Sequence, residues 1–331
     1  MMGFRDIIGQ EQIIASLKNA VFSAKAAHAY IFDGEKGMGK RTLAYAFARA
    51  LLCEAPPGER MDSGACGCCH SCIMAESGSH PDIITLVPEK ESSIGVDDIR
   101  SQVVNDVAIK PYCSERKIYI IPDANLMTEA AENALLKTLE EPPAYTVIIL
   151  LSENKDRLLP TILSRAVCLP MRALSNEAIS DYLVKKGLPE KDNAAVVSFA
   201  RGNLGKAVML SESEEFKELL GNIRRTVTGV RDMTDTDINA AAAEAAEKKE
   251  ERDNILSFLL LWFRDVLFLK AGGDEDRLIF RDEVRELNKA TGNYSFEKIN
   301  RIIQEIKTAR SRLKSNVNAE NTFEMLFMMM R

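Results

Sequence analysis

No run of eighteen apolar residues occurs in this 331-residue chain, which argues against a transmembrane helix. The opening residues, Met1-Met2-Gly3-Phe4-Arg5-Asp6, lack the apolar stretch of a signal peptide. A cytoplasmic protein without a membrane partner is the expectation. A basic excess is missing too. With a net charge of −6, the chain has no dense basic face for gripping nucleic acid by counterion release, so any DNA contact should be local or shared with partners. No solenoid-type repeat is present.

What is present begins with apolar content. At 46% hydrophobic residues, a chain of this length supports two or three domains. Tyr30-Ile31-Phe32, Ile83 to Val87, Lys117 to Ile121 and Thr146 to Leu151 read as buried strands between helical stretches. This predicts a mostly parallel sheet covered on both faces, an α/β core of phosphate-loop type. Beyond about Met171 the strand signal ends, and helices are punctuated by Gly187-Leu188-Pro189, Gly202 to Gly205, Gly229 and Gly272-Gly273. The boundaries expected are 1–170 for the core, 171–210 for a small helical domain and 211–331 for a larger bundle. Asn239 to Glu251 reads as a solvated helix, as does the basic face of Lys307, Arg310, Arg312 and Lys314. The Met325 to Met330 stretch reads as the buried last helix of the bundle.

Cysteine is concentrated, with five of the seven lying between Cys53 and Cys72. Cys53, Cys66, Cys69 and Cys72 have the spacing of a structural zinc knuckle, since four thiolates close a tetrahedral site and leave no open position. The reducing cytoplasm favours metal over disulfides. Cys68 and His70 lie between the ligands as competitors, whereas Cys113 and Cys168 read as inert.

One residue beyond Tyr30-Ile31-Phe32 comes Gly34-Glu35-Lys36-Gly37-Met38-Gly39-Lys40-Arg41-Thr42, leading into an alanine-rich helix. Strand, glycine loop and helix in that order let backbone N–H groups converge on phosphate while Lys40 reaches the terminal phosphates. The hydroxyl that should follow Lys40 to hold Mg²⁺ is missing. Arg41 stands there, and Thr42 is one residue late, a rotation of about 100° on a helix. The buried strand Lys117 to Ile121 runs into Pro122-Asp123-Ala124, which supplies one acid and no second for orienting a water. This pattern leaves ATP or ADP binding open and argues against Mg²⁺-dependent hydrolysis.

These residues carry a specific resemblance. The chain resembles the delta-prime subunits of the bacterial DNA polymerase III clamp loader, members of the AAA+ family, over nearly its whole length. Phe4-Arg5-Asp6-Ile7-Ile8-Gly9-Gln10-Glu11 is similar to the N-terminal box, and His28-Ala29-Tyr30 to the lead into the loop. The cysteine knuckle ends in Ser79-His80-Pro81-Asp82, and Asn133 to Pro143 (Asn-Ala-Leu-Leu-Lys-Thr-Leu-Glu-Glu-Pro-Pro) is a clamp-loader signature. Ile162-Leu163-Ser164-Arg165-Ala166 resembles the Ser-Arg-Cys motif, with Ala166 in place of Cys. Leu261 to Asp265 and Asn316 to Glu320 look like segments of the collar domain.

The resemblance implies that Arg165 is an arginine finger offered to a neighbour's ATP site. It implies that Gly205, in Arg201-Gly202-Asn203-Leu204-Gly205-Lys206, stands where a motor subunit has its γ-phosphate-sensing arginine, with Lys206 as a substitute. It also selects Cys53, Cys66, Cys69 and Cys72 over Cys68 and His70. The expected partners are gamma/tau and delta subunits in a hetero-pentamer with a helical lid and collar, acting on the sliding clamp and primer-template DNA at the nucleoid-associated replisome. The competing readings are an active ATPase of gamma/tau type, for which Lys40 speaks and Arg41, Ala124 and Gly205 do not, and a zinc-dependent DNA-binding module. The acidic balance and the lack of interleaved aromatics near the knuckle oppose the latter.

Overall fold

The computed structural model describes residues 3–60, 64–188, 190–315 and 317–331. Met1, Met2, Pro189 and Asn316, which entered the readings above, lie outside the described residues. The packing divides the chain into two compact units, Met1–Ala178 with Asn203–Lys206, and Ile179–Gly202 with Ala207–Arg331.

The first unit is built on five parallel strands, β1 (Ala29–Asp33), β2 (Ile83–Thr85), β3 (Lys117–Ile121), β4 (Thr146–Ser152) and β5 (Val167–Pro170). They lie in the order β2-β3-β4-β1-β5. Register places Tyr30 beside Ile149 and Val167, and Tyr119 beside Ile148. Alternation then sorts the side chains onto two faces. Tyr30, Phe32, Ile118, Ile120, Val147 and Ile149 share one cluster with Leu17 of α1 (Glu11–Phe22) and Leu43 and Phe47 of α2 (Lys40–Leu52). Ile31, Tyr119, Ile121, Ile148 and Leu150 share the other with residues from three further helical elements.

Those elements come after α3 (His70–Ser77) in the chain. Ile99 lies in α4 (Val96–Ile99), which continues as a π turn over Arg100–Val104, Leu135 lies in α5 (Glu129–Glu140), and Ile162 lies in α6 (Pro160–Leu163). Every residue of β3 and β4 is buried, so their apolar character is continuous rather than alternating. Two expectations need correction here. The second strand stops at Thr85 and leaves Val87 70% exposed, and β5 is a strand that the sequence pattern did not announce.

Helices α7 (Asn176–Lys185), α8 (Glu190–Ala200) and α9 (Leu204–Glu212) follow, then α10 (Glu214–Gly229), α11 (Asp235–Glu247), α12 (Arg252–Lys270), α13 (Val284–Asn293), α14 (Phe296–Lys314) and α15 (Ala319–Met330). The second unit is all-helical among its described residues. Helix α12 buries Ile255, Phe258, Leu259, Trp262, Phe263 and Val266, more than a single stripe can hold, which makes it the central helix of the bundle. No described helix is long and apolar enough to cross a membrane.

Asp265 is fully buried and accepts the N–H groups of Ile279 and Phe280 at 2.8 and 3.0 Å, with Arg264 at 2.7 Å. The Leu261–Asp265 motif is therefore structural at its acid. In α15, Phe323, Leu326, Phe327 and Met330 are buried while Met325 and Met328 face outward. Arg310 departs from the solvated face expected for it, because it pairs with Asp253 at 2.8 Å and reaches Ser257 Oγ at 2.8 Å. The helix expected over Asn239 to Glu251 ends at Glu247 and buries Ile238 and Ala242.

Candidate functional site

Strand β1 delivers the chain into the Gly34–Gly39 turn at the carboxyl end of the sheet, where open α/β folds bind ligands. Gly37 and Gly39 have φ of 91° and 89°, a region that side chains disfavour. Gly39 is the N-cap of α2 and gives no side-chain cap, which leaves first-turn N–H groups of α2 for an anion. Lys40 is buried, and its Nζ donates to the carbonyl oxygens of Gly34 and of Glu35, the latter at 3.0 Å. Burial pushes its pKa down, against the carboxylates of Glu153, Asp123, Asp33 and Glu35, which push it up. The site is thus a cation ringed by acids at the ends of β1, β3 and β4.

The groups that would work on a bound nucleotide are displaced. Arg41 and Thr42 line a cavity of about 600 Å³ with Tyr45, Arg49, Glu76, His80 and Thr85, on walls that do not include Lys40. Asp123 follows β3 in the left-handed region at φ 48°. Ala124 is fully buried in the core cluster, so the position of a second acid holds a methyl group facing away from solvent.

Gly205 meets the backbone of the loop directly. Its N–H donates to Gly37 O at 2.9 Å, and Asn203 Nδ2 donates to Lys36 O at 2.7 Å while its Oδ1 accepts from Lys206 N. A Cβ at Gly205 would lie 2.6 Å from Gly37 O and 2.7 Å from Gly37 Cα, both of them backbone atoms that yield only by moving the loop. Gly205→Ala is expected to lower stability by about 1–3 kcal/mol, as overpacking does. An unchanged denaturant midpoint would show that the contact is slack.

Sequence reasoning passed over one further feature of this unit. Gln10, buried and at φ 62°, donates to Arg172 O at 2.6 Å and accepts from Arg172 N at 2.9 Å. The pair walls a cavity of about 610 Å³ with Ile8, Gly9, Ile13, Pro170 and Leu174. The partners are 162 positions apart, and no local pattern connects them.

Arg165 follows α6. Its Nη1 donates to Thr161 O at 2.9 Å and to Ser164 Oγ at 3.1 Å, and its Nη2 meets Glu140 Oε1 at 2.8 Å. The side chain is 34% exposed.

Cys53, Cys66, Cys69 and Cys72 bring their sulfurs within 4.8 Å of one another and form a group that can hold a metal ion. Four thiolates about 2.3 Å from a tetrahedral zinc lie about 3.8 Å apart, and Cys66 Sγ and Cys72 Sγ are 4.0 Å apart. Backbone N–H groups point at the sulfurs: Cys66 N at Cys53 Sγ, Cys69 N at Cys66 Sγ and Cys72 N at Cys69 Sγ, at 3.3, 3.4 and 3.4 Å. Such donors stabilise thiolate. Burial pushes the Cys66 thiol up, but the N–H groups of Cys68 and Cys69 with the neighbouring thiols outweigh it and bring it to about 6. Cys68 and His70 are exposed and lie outside the group. Arg60 ties the knuckle to the core, donating to the carbonyls of Ala50, Cys53 and Ala55, a cation at the carbonyl end of α2.

His80, Asp82 and Cys113 also cluster within 4.8 Å, but the ring's tautomer sets them to another task. His80 Nδ1 accepts the Asp82 N–H at 3.1 Å, so the neutral ring carries its proton on Nε2, which lies 2.8 Å from Ser71 Oγ. A metal on Nε2 would need a ring with no proton at all. Burial lowers the His80 pKa and keeps it neutral. Asp82 accepts the N–H groups of Tyr112, Cys113 and Ser114 at 2.5, 3.0 and 2.9 Å. The Ser79–Asp82 motif therefore locks α3 to the 112–114 loop. Burial and Asp82 raise the Cys113 pKa, and burial raises that of Cys168, which leaves both thiols poor nucleophiles.

Residues 9–175 match a family model described as DNA polymerase III, delta subunit, and residues 231–329 one described as DNA polymerase III, delta subunit, C terminal. The DNA polymerase III subunit delta' of Bacillus subtilis (strain 168) is 30% identical over 328 residues, 97% of this chain and 96% of that protein. The tau/gamma subunit of Haemophilus influenzae is 33% identical over 215 residues, 63% of this chain and 30% of that protein. Among solved structures, a DNA polymerase III gamma subunit-related protein from Thermotoga maritima matches 96% of this chain and 98% of that chain, with a TM-score of 0.47 and 19% identity.

Proposed function

Because this chain belongs to the delta-prime clamp-loader subunits of bacterial DNA polymerase III, with an AAA+ core, we propose that it organises the loader and triggers a neighbour's ATPase without being a motor itself. In this reading it joins gamma/tau and delta subunits in a hetero-pentamer and offers Arg165 in trans to an adjacent ATP site. The assembly loads the sliding clamp onto primer-template DNA. Residues 1–170 serve as the core, 171–210 as the lid and 211–331 as the collar, and the four cysteines hold a structural zinc.

The observation that carries the reading is a threefold gap around one loop. Arg41 replaces the metal-binding hydroxyl, Ala124 replaces the second acid, and Gly205 meets Gly37 through backbone alone. Lys40 and the glycines Gly34, Gly37 and Gly39 remain as a degenerate cradle for the phosphates of ATP or ADP, beside Arg41, Thr42 and Asp123 that no longer complete it, with the Gln10 cavity beside β5 available for the base. A guanidinium with exposed donors, by contrast, suits charge neutralisation on another subunit's phosphoryl group.

The alternative of an active gamma/tau-type ATPase rests on the retained Lys40. Titrating the purified chain with a fluorescent ATP analogue, then assaying hydrolysis with and without primed DNA, separates the two. Turnover by the isolated chain is expected to stay at background, and robust turnover would promote the motor.

A further inference from the structure

Helix α5 carries two acids that grip the segment bearing Arg165. Glu132, 4% exposed, accepts the Leu159 N–H on Oε2 at 2.7 Å. Glu140, eight residues on and about 12 Å further along the helix axis, meets Arg165 Nη2 on Oε1 at 2.8 Å. Residues 159–165 are thus held at both ends by one rigid element, with Ile162 fully buried between them. The guanidinium itself is held at three points, on Thr161 O, Ser164 Oγ and Glu140. Of its five N–H donors, three are spent on these contacts, leaving Nε–H and one Nη2–H for a ligand.

We infer that Glu140 is a positioning residue for Arg165, fixing the plane of the guanidinium so that the two remaining donors are presented together; this rests on the trans-finger reading of Arg165. An unrestrained arginine loses rotamer entropy when it engages phosphate, and an arginine already pinned in a fork loses less. The pin has little structural value. With Glu140 50% exposed and Arg165 34% exposed, the ion pair contributes little to folding. A purely structural role would therefore have almost nothing to show on substitution, whereas a positioning role should appear in turnover.

The test uses the reconstituted complex with its neighbouring ATPase. Glu140→Ala is expected to lower kcat for ATP about fivefold, the rate equivalent of a modest loss of preorganisation, with KM and thermal midpoint unchanged. Glu140→Gln keeps an oxygen for Nη2 and is expected to recover most of that loss. The Glu140→Ala, Arg165→Ala double variant should turn over no more slowly than Arg165→Ala alone, because the two residues act as one unit. Unchanged or raised kcat in Glu140→Ala, beside a depressed Arg165→Ala, would overturn the positioning role and leave the finger standing. Unchanged kcat in Arg165→Ala would remove both. Equal loss in the Gln and Ala variants would also overturn it, pointing to charge instead of hydrogen-bond geometry.

Discussion

Replacing any one of Cys53, Cys66, Cys69 or Cys72 by serine is expected to abolish binding of one zinc per chain and to unfold the knuckle while the sheet survives. Among the described residues the segment has only a small apolar core of its own. Its own buried cluster consists of Cys53, Ala65, Cys66 and Cys72, with Ala55 and Cys69 packed beside them, and segments this small seldom fold on such a core. Structural zinc contributes an apparent ~10–16 kcal/mol in comparable small sites, against the ~5–15 kcal/mol that stabilises a whole domain. The two sheet-face clusters draw on β1, β3 and β4 and on helices that do not need the metal, so loss should be local. Amide exchange locates it. The N–H groups of Cys66, Cys69 and Cys72, now aimed at sulfur, should lose protection together with α3, and the 112–114 loop should loosen because the Ser71–His80 link goes with the helix. Cys68→Ser should keep full zinc by metal analysis, since Cys68 stands outside the group. A zinc-free knuckle with protected amides would sink the assignment.

What the sequence made legible follows from where the information sits. Strands β3 and β4 are covered on both faces, and their continuous apolar runs gave bounds within a residue of those observed. Strand β5 is four residues long, pairs with β1 alone, exposes Val167 and ends in Pro170, so its brief apolar run, cut short by proline and showing no alternation, does not mark a strand. The phosphate loop and the knuckle were readable because their chemistry is local, with glycines, a lysine and cysteines at fixed spacing. Contacts that join distant positions were not readable. Asn203 reaches Lys36 across 167 residues, and Glu140 meets Arg165 between two separate motifs. Resemblance put Gly205 at the place of a sensing arginine, yet only the geometry shows its N–H closing on the loop backbone. It also shows why Thr42 does not stand in for the missing hydroxyl, since Thr42 lines a cavity with Arg49 and Tyr45 rather than with Lys40.

Arg165→Ala, in the complex proposed here, is expected to depress ATP turnover at the one site that faces this subunit, while the chain folds and assembles normally. Arginine fingers are worth ~10³ to 10⁵ in kcat, and that figure bounds the loss at a single interface. The drop for the complex as a whole would be smaller if the other sites turn over independently, and would approach the bound if they fire in sequence. Stability should scarcely change. The contacts given up are one half-exposed ion pair and two bonds to its own turn, and exposed pairs of this kind contribute ~0–1 kcal/mol. Arg165→Lys should be nearly as impaired as the alanine variant, because an ammonium cannot hold Glu140, Thr161 and Ser164 in a planar fork and still present two donors outward. Binding of an ATP analogue to the complex should persist in both variants, which places the defect in the chemical step and not in occupancy. Full turnover in Arg165→Ala complexes with intact assembly would leave the exposed guanidinium as a surface cap on Thr161 and remove the trigger from this subunit.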